Sequence, residues 1–307
     1  MAWENWLFDG IIFVFLVVAG AAILETLNRA KKSEKNRWYV LTFLIFFAWL
    51  IVFYGSFIEP KIVLTKNYEI NLSNPSGEGS HLKAVVVSDF HLGPYNDEGL
   101  VEHVAQKIKN IKPDIIFLLG DFISFDNEDI KSYYPLDGLQ APLGIFAVTG
   151  NHDYLGDGVE EVVSELEKYN INFLRNQGSS IKANGKEIFL AGVDDYWYGD
   201  MDLTQALLGQ RPGQTVILLA HNPDVVKYVP EYAHYDLMIS GHTHGGQIRL
   251  PIIGSLVQPP TDLPRNIDKG VKSWQGNNIF ITPGLGEVGP RARLFNFPEI
   301  SVLNITY

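Results

Sequence analysis

Two long apolar segments stand at the start of the chain, and short apolar runs alternate with amphipathic stretches in the rest. Residues 10–24 and 38–58 contain no charged side chain. A membrane-spanning helix needs about 17–25 apolar residues, which the second segment provides, with aromatic residues near both ends as typical interfacial anchors. The pattern predicts a membrane anchor of two transmembrane helices over residues 1–60 and a separate domain over residues 61–307.

The first apolar segment is also compatible with a cleaved signal peptide. Against that alternative, the residues before it contain no Lys or Arg, and no small-residue cleavage site precedes the basic linker. The linker, residues 28–37, carries five basic residues and one acid. By the positive-inside rule this linker is cytoplasmic. Residues 61–307 are therefore predicted on the extracytoplasmic face of a bacterial-type inner membrane or plasma membrane.

The remainder of the chain alternates predicted strands with predicted helices. The apolar runs rich in β-branched and aromatic residues lie at 83–88, 114–120, 144–150, 187–193, 215–220 and 236–240. Amphipathic stretches at 97–110 and 157–170 predict helices, Asn184 and Gly185 predict a hairpin turn, and residues 71–80 predict a loop. This alternation is typical of a large α/β domain.

Composition and charge narrow the chemistry. The chain has no cysteine, which excludes disulfides, thiolate metal ligands and cysteine nucleophiles. The formal net charge of −11 is uneven, because residues 61–240 carry 13 Lys and Arg against 26 Asp and Glu, whereas residues 241–307 carry 6 against 4. Extended nucleic acid is therefore not an expected partner. An anionic ligand would need metal ions or the C-terminal stretch.

Polar side chains follow five of the predicted strands. In chain order they are Asp89 and His91, then Asp121, then Asn151, His152 and Asp153, then His221, and finally His242 and His244. The carboxyl ends of strands in open α/β sheets face the ligand crevice, so these groups are expected to converge. Taken singly, each Asp or Asn is also an ordinary turn residue.

As a set, the same side chains suit metal ions. Imidazole, carboxylate and amide groups bind Mn²⁺, Zn²⁺ or Fe²⁺, and there are more candidate ligands than one ion takes. Two ions roughly 3.5–4 Å apart, sharing a carboxylate, would use them all and make hydroxide available for in-line attack at phosphorus. The sequence therefore predicts two divalent metal ions and phosphate-ester hydrolysis.

The blocks DFHLG, GD, GNHD, the strand-following histidine and GHTHGGQ stand in the order found in the calcineurin-like metallophosphoesterases, which the chain resembles from about Lys83 to Gln247. The resemblance implies a four-layered α/β/β/α sandwich. It further implies a first metal bound by Asp89, His91 and His244, a bridging Asp121, and a second metal bound by Asn151, His221 and His242. His152 would assist the leaving oxygen, and Asp153 would orient the His152 ring.

The C-terminal segment PGLGEVGPRARLFNFPEISVL resembles the membrane-associated branch of this superfamily, which includes membrane-anchored phosphodiesterases and UDP-diacylglucosamine pyrophosphatases. Arg291 and Arg293 in this segment are candidates to bind a phosphate or a lipid headgroup, with a salt-bridged surface turn as the alternative. The loop with Asp194, Asp195, Trp197 and Tyr198 either lines the pocket or packs over the sheet.

The favoured function is a membrane-anchored phosphoesterase acting on a phosphate ester or pyrophosphate, lipid-linked or otherwise amphiphilic, with the lipid bilayer as its other partner. A UDP-diacylglucosamine pyrophosphatase is the alternative among enzymes, although its substrate is made on the cytoplasmic side, against the predicted topology. A catalytically silent membrane scaffold of the same fold is the alternative outside enzymes. The complete ligand set argues against the scaffold.

Overall fold

The computed structural model describes residues 2–33, 35–72, 79–125, 127–156, 158–230 and 233–307. Of the two predicted connecting segments, 28–37 and 71–80, residues 34 and 73–78 lie outside the described part. Residue 157, the start of the second predicted helix, lies outside it as well.

The chain begins with two helices, α1 (Ala2–Ser33) and α2 (Asn36–Phe57). Thr42 Oγ1 donates to Thr26 Oγ1 over 2.9 Å, and Trp49 Nε1 donates to the Leu16 carbonyl over 3.0 Å. Because these partners follow in opposite order along the two helices, α1 and α2 form an antiparallel hairpin. Both helices are long and apolar enough to cross a membrane, and α1 extends well beyond the predicted apolar segment at both ends.

The rest of the described chain contains fourteen strands, three helices and several short 3-10 helices. The strands are β1 (Leu64–Asn71), β2 (His81–Val87), β3 (Ile115–Leu118), β4 (Ile145–Ala147), β5 (Ile171–Phe173), β6 (Gln177–Ala183), β7 (Lys186–Gly192), β8 (Thr215–Leu219), β9 (Leu237–Ser240), β10 (Arg249–Leu250), β11 (Gly254–Ser255), β12 (Gly270–Trp274), β13 (Asn277–Ile281) and β14 (Glu299–Thr306). The helices are α3 (Glu98–Ile111), α4 (Val159–Glu167) and α5 (Leu203–Ala206), and the 3-10 helices span Glu59–Lys61, Asn127–Leu136, Asn151–Tyr154, Pro223–Tyr228 and His244–Gly246.

Two six-stranded sheets form the centre of the domain, in the orders β1-β14-β2-β3-β4-β5 and β12-β13-β9-β8-β7-β6. In the first sheet β14 runs parallel to β1 and antiparallel to β2, and the remaining pairs are parallel. In the second sheet β13, β9, β8 and β7 run parallel to one another, and the edge strands β12 and β6 pair antiparallel to β13 and β7. The predicted hairpin turn at Asn184 and Gly185 joins β6 to β7.

The two sheets pack face to face, with helices on both outer surfaces. Along β2, Ala84 and Val86 lie in the core between the sheets, whereas Val85 and Val87 lie in the core beneath α3 and α4. A third core packs α5 and the 3-10 helix Pro223–Tyr228 on the outer face of the second sheet. Strands buried on both faces read as continuous apolar runs, which is why the sequence predicted them well. The architecture is the expected α/β/β/α sandwich.

The helical hairpin is joined to the sandwich by contacts between elements far apart in sequence. Arg291 forms an ion pair with Asp9 of α1 over 3.0 Å. The Arg293 N–H donates to the Gly55 carbonyl of α2 over 2.8 Å, and the Glu59 carboxylate accepts the Asn296 N–H over 2.6 Å. The C-terminal segment is therefore attached to the domain-side ends of both helices.

Candidate metal centre

All seven predicted metal ligands lie in loops that follow strands, at one edge of the two sheets. The loops after β2, β3 and β4 carry Asp89, His91, Asp121 and Asn151, and those after β8 and β9 carry His221, His242 and His244. The seven side chains are almost completely buried. The structure thus brings together every residue that the sequence singled out as a ligand.

Four of these residues form a first ligand set: Asp89, His91, Asp121 and His244, whose ligand atoms lie within 4.8 Å of one another. His91 Nε2 is 3.1 Å from His244 Nε2 and 3.3 Å from Asp121 Oδ2. His244 Nε2 is 3.4 Å from Asp89 Oδ1. Four nitrogen and oxygen acceptors directed at one small volume are typical of a metal site.

A second set shares Asp121 with the first and adds His221 and His242. His221 Nε2 lies 3.2 Å from Asp121 Oδ2 and 3.2 Å from His242 Nδ1. The Oδ1 atom of Asn151 is buried and has no hydrogen-bond partner within the described residues. A buried amide oxygen without a partner is costly unless a ligand binds it. The same Asp121 oxygen faces both sets, as a bridging ligand would.

The outward ring nitrogens of His221, His242 and His244 donate to backbone carbonyls, whereas His91 Nδ1 is buried without a hydrogen-bond partner among the described residues. His221 Nδ1 donates to Leu119 O over 2.6 Å, His242 Nε2 to Pro260 O over 2.9 Å, and His244 Nδ1 to Gly286 O over 3.2 Å. These partners fix the tautomer of these three rings. Their nitrogens directed into the two sets therefore carry lone pairs, and the donor set fits divalent cations.

The backbone at the site is strained. Five of the seven ligands adopt the left-handed conformation: Asp89 (φ 54°), His91 (47°), Asp121 (53°), His242 (68°) and His244 (49°). This conformation costs about 1–2 kcal/mol per residue for L-amino acids. A Cβ placed on Gly150 would come within 2.4 Å of the Asp121 backbone nitrogen, and one on Gly241 within 2.2 Å of Ser88 Oγ. Gly150 of GNHD and Gly241 of GHTHGGQ are needed because an added Cβ would collide with the Asp121 backbone in the first case and with the Ser88 side chain in the second.

The protonation of the ligands follows from their burial. Burial lowers the pKa of His91 to about 4 and that of His242 to about 3, so both rings are neutral at physiological pH. Burial opposes the charged form of His221 too, but the adjacent Asp121 carboxylate outweighs it and raises the His221 pKa to about 10. The site thus favours positive charge beside Asp121, where the two ligand sets meet.

His152 lies in the wall of the same pocket without belonging to either set. Its Nδ1 donates to the Ser124 carbonyl over 2.7 Å, and its ring packs edge-on against His91 with ring centroids 4.5 Å apart. Because Nδ1 is engaged, Nε2 is the nitrogen that can exchange a proton with a substrate.

The expectation that Asp153 orients the His152 ring is wrong, because the structure gives Asp153 a different set of contacts. Its carboxylate accepts the backbone N–H groups of Gly150, Asp121 and Phe122 over 2.7–3.0 Å. Burial raises the pKa of this carboxyl group to about 8. Asp153 therefore holds the loops after β3 and β4 together, and the Ser124 carbonyl orients the imidazole.

A cavity of about 360 Å³ opens over the ligands. Asp121, Asn151, His152 and His242 form its floor, and an apolar wall consists of Trp197, Ile248, Val257, Pro259, Pro260, Val288 and Pro290. Trp197 packs edge-on against His242 at 4.4 Å, so the loop after β7 does line the pocket. Asp194 in the same loop accepts from Thr149 and Arg175 and packs over the sheet instead. Sequence reasoning missed the apolar wall, because its residues come from irregular loops without periodicity.

The two candidate arginines differ in their surroundings. Arg293 is completely buried, and its guanidinium donates to the carbonyls of Pro283, Gly286 and Asn296 over 2.6–3.1 Å. The prediction that Arg293 binds substrate is wrong, because all these donors point into the protein. Arg291 is partly exposed and pairs with Asp9, stacked over the ring of Tyr95. Its role in substrate binding stays a prediction.

Comparison with known proteins adds independent evidence. A family profile described as calcineurin-like phosphoesterase matches residues 82–246. A metallophosphoesterase of Bacillus subtilis is 31% identical over 258 residues, which cover 82% of this chain and 88% of the relative. A Bos taurus protein named transmembrane protein with metallophosphoesterase domain is 33% identical over 80% of this chain and 57% of its own length. A metallophosphoesterase of Caenorhabditis elegans is 28% identical over 96% of this chain and 65% of its own length. The chain thus spans less than two thirds of the last two relatives.

Proposed function

Because this chain belongs to the calcineurin-like phosphoesterase family, we propose that it is a membrane-anchored dinuclear phosphoesterase that hydrolyses a phosphate ester or pyrophosphate of an amphiphilic substrate. The family and the ligand cluster identify the chain as a metal-dependent phosphoesterase. The observation that carries the dinuclear part is that Asp121 Oδ2 lies 3.3 Å from His91 Nε2 and 3.2 Å from His221 Nε2. One carboxylate oxygen therefore belongs to both ligand sets.

The residues of the site have separable tasks. Asp89, His91 and His244 would hold one divalent ion, Asn151, His221 and His242 the other, and Asp121 both. Two such ions supply hydroxide near neutral pH and offset the charge of a phosphoryl group. The backbone carbonyls behind His221, His242 and His244 hold these rings in the required tautomer, so that their ligand atoms need little rearrangement when the site binds metal.

His152 is the candidate catalytic residue for proton transfer. Its ring is held by the Ser124 carbonyl and lines the pocket above Asp121 and Asn151. A proton on Nε2 can then pass to the leaving oxygen as the ester bond breaks, which is general acid catalysis. This step needs no contact between His152 and Asp153, and the structure shows none within the described residues.

An amphiphilic substrate is supported by two features of the chain. The pocket has a polar floor and an apolar wall, and the domain is joined to two helices able to span a bilayer. The basic linker between α1 and α2 supports the proposal that the catalytic domain faces the extracytoplasmic side. A phosphate ester with an apolar tail would satisfy both parts of the pocket.

The experiment that tests the function compares the wild type with Asp121→Asn, both in detergent. We expect manganese-dependent hydrolysis of bis-p-nitrophenyl phosphate or p-nitrophenyl phosphate by the wild type, and its loss in Asp121→Asn together with part of the bound metal. Asn retains the size of Asp but lacks the charge needed between two cations. Asp137→Asn is the matched control, since Asp137 is exposed and lies outside the ligand sets.

Each outcome has a clear meaning. Turnover and metal content that survive Asp121→Asn would contradict the bridging role. A wild type that binds two metals per chain and hydrolyses neither ester would contradict the phosphate-ester part of the proposal. It would favour an enzyme restricted to a pyrophosphate lipid or a catalytically silent scaffold, which turnover of a UDP-linked lipid would then separate.

A further inference from the structure

The segment that follows the metal ligand His244 in sequence forms a small apolar hairpin. Strands β10 and β11 pair antiparallel, and the turn between them carries Pro251, Ile252 and Ile253. Residues 250–261 contain no charged side chain. We refer to residues 250–257 as the apolar hairpin.

The tip of the apolar hairpin exposes its largest side chains. Ile252 is fully exposed and Ile253 is 68% exposed, with Leu256 at 48% and Val257 at 65%. Ile252 also has a φ of 72°, which is rare for a β-branched residue. Single apolar residues are common on protein surfaces, but a contiguous exposed patch of this kind marks an interaction site.

The hairpin is tied to the membrane anchor through one intervening segment. The Arg249 N–H donates to Leu294 O over 2.9 Å, and the Leu294 N–H donates to Gln247 O over 3.1 Å. The neighbouring Arg293 N–H donates to Gly55 O of α2. The base of the hairpin is therefore only one backbone segment away from the domain-side end of a membrane-spanning helix.

Two arginines lie near the hairpin, and both are engaged with protein groups. Arg249 stands at its base, where the guanidinium contacts the Asp268 carboxylate and donates to Gly245 O over 2.6 Å. Arg265 donates to the Ser255 carbonyl, opposite Arg249 in the strand pair. A tip entering a bilayer would therefore carry no unpaired charge with it, which is the main energetic obstacle to insertion.

The pocket lies between the hairpin and the anchor. Ile248, two residues before the hairpin, and Val257, its last residue, form one part of the apolar wall. Val288 and Pro290 form another part. The residue between the latter two, Gly289, lies against the ring of Phe8 on α1, where an added Cβ would be 3.9 Å from the ring. One side of the wall thus adjoins the apolar hairpin, and the other adjoins the apolar helix α1.

We propose that the apolar hairpin is a third membrane contact, which inserts Ile252 and Ile253 into the bilayer that holds α1 and α2. The hairpin and the anchor then border the mouth of the pocket at the level of the lipid headgroups. If the proposed function holds, the phosphate of a lipid substrate reaches the ligand cluster while its acyl chains stay in the bilayer beside the hairpin.

The absence of cysteine permits a direct test in the full chain. Ile253→Cys, labelled with an environment-sensitive fluorophore, is reconstituted into phosphatidylcholine vesicles with and without nitroxide-bearing lipids. Lys182→Cys is the matched control, because Lys182 is exposed and lies near the β6–β7 turn, at the end of the sheet opposite the metal ligands. Ile252→Cys serves as a second tip position if the first variant folds poorly.

We expect nitroxide lipids to quench the label at Ile253 and the bilayer to shield this label from iodide in water. The label at Lys182 should be quenched by iodide and not by nitroxide lipids. Equal iodide quenching at both positions would overturn the proposal, since the tip would then lie in water. A tip protected from iodide but not quenched by nitroxide lipids would overturn it as well, because protein would then cover the hairpin. If the wild type does not hydrolyse bis-p-nitrophenyl phosphate but the label at Ile253 is still quenched by lipid, the result would contradict the proposed function and leave the hairpin proposal intact.

Discussion

The ligand cluster and the junction between the helical hairpin and the sandwich both bury charged side chains, but they do so in opposite ways. The junction comprises Asp9, Gly55, Glu59, Arg291, Arg293 and Asn296. At the junction, Arg293 directs its donors to three backbone carbonyls, and Glu59 accepts a backbone N–H. In the cluster, acceptor atoms of His91, Asp121 and His221 converge on one another. Burial of charge alone therefore does not identify a functional site; convergence of acceptors without donors does.

The two regions are also in contact. Asn296 of the junction donates its side-chain N–H to the His244 carbonyl over 2.6 Å. The Gly286 carbonyl accepts both from Arg293 and from the His244 ring. The junction thus supports one ligand of the cluster from behind, and substitutions in the two regions should separate catalysis from support.

The largest effect is expected inside the pocket, from His152→Ala. The rate kcat should fall about 10²–10⁴-fold, the usual range for loss of a general acid, because no other proton donor replaces Nε2. Metal content should stay at the wild-type value, since His152 belongs to neither ligand set. Steady-state kinetics and metal analysis check this, with His103→Ala on the exposed face of α3 as the control. Unchanged kcat would remove His152 from the mechanism.

A smaller effect is expected at the junction, from Arg293→Lys. An ammonium group cannot reproduce the guanidinium fork, so buried carbonyls lose their donors and the free energy of unfolding should fall by about 1–3 kcal/mol. Denaturation of the purified protein in detergent measures the change. Arg211→Lys is the matched control, because Arg211 forms its ion pair with Glu187 at the surface. A stability loss no larger than that of the control would contradict the buried role of Arg293.

The smallest effect is expected from the ion pair between Asp9 and Arg291. Both side chains are about 30% exposed, and pairs of this kind contribute about 0.2–1 kcal/mol. A double-mutant cycle with Asp9→Asn and Arg291→Gln isolates the coupling. A coupling energy well above this range would show that the pair is as important to the junction as Arg293, and would blur the difference between the two arginines.

The sequence revealed the cluster better than the junction for a physical reason. Ligands such as Asp89, Asp121 and His221 directly follow apolar strands, so their convergence can be inferred from chain order and sheet geometry alone. Arg291 and Arg293 are two residues apart with the same chemistry. Only their partners distinguish them, Asp9 of α1 for Arg291 and buried loop carbonyls for Arg293. The same limit applies to Asp153, whose neighbours along the chain suggested an imidazole partner, whereas packing of two loops supplied backbone donors.

The fold shows the same division. The six predicted strands are all present because they are buried on both faces, whereas β1, β5 and β10 to β14 were not predicted. β1 and β12 are largely exposed along their length, and β14 takes its place between β1 and β2 through pairing over more than two hundred residues of sequence. The left-handed backbone of five ligands also has no signal in the sequence beyond the tolerance of Asp and His for that conformation.

The position of β14 sets an order of events during biosynthesis. β14 lies between β1 and β2 in the first sheet but follows them by more than two hundred residues, so β1 and β2 have no partner on their facing edges until the ribosome has made it. The two apolar helices emerge first and can enter the membrane while the sheet is still open. Unpaired strand edges are prone to aggregation. Early tethering at the bilayer would keep nascent chains apart during that interval, which makes the anchor useful to folding before the enzyme has met any substrate.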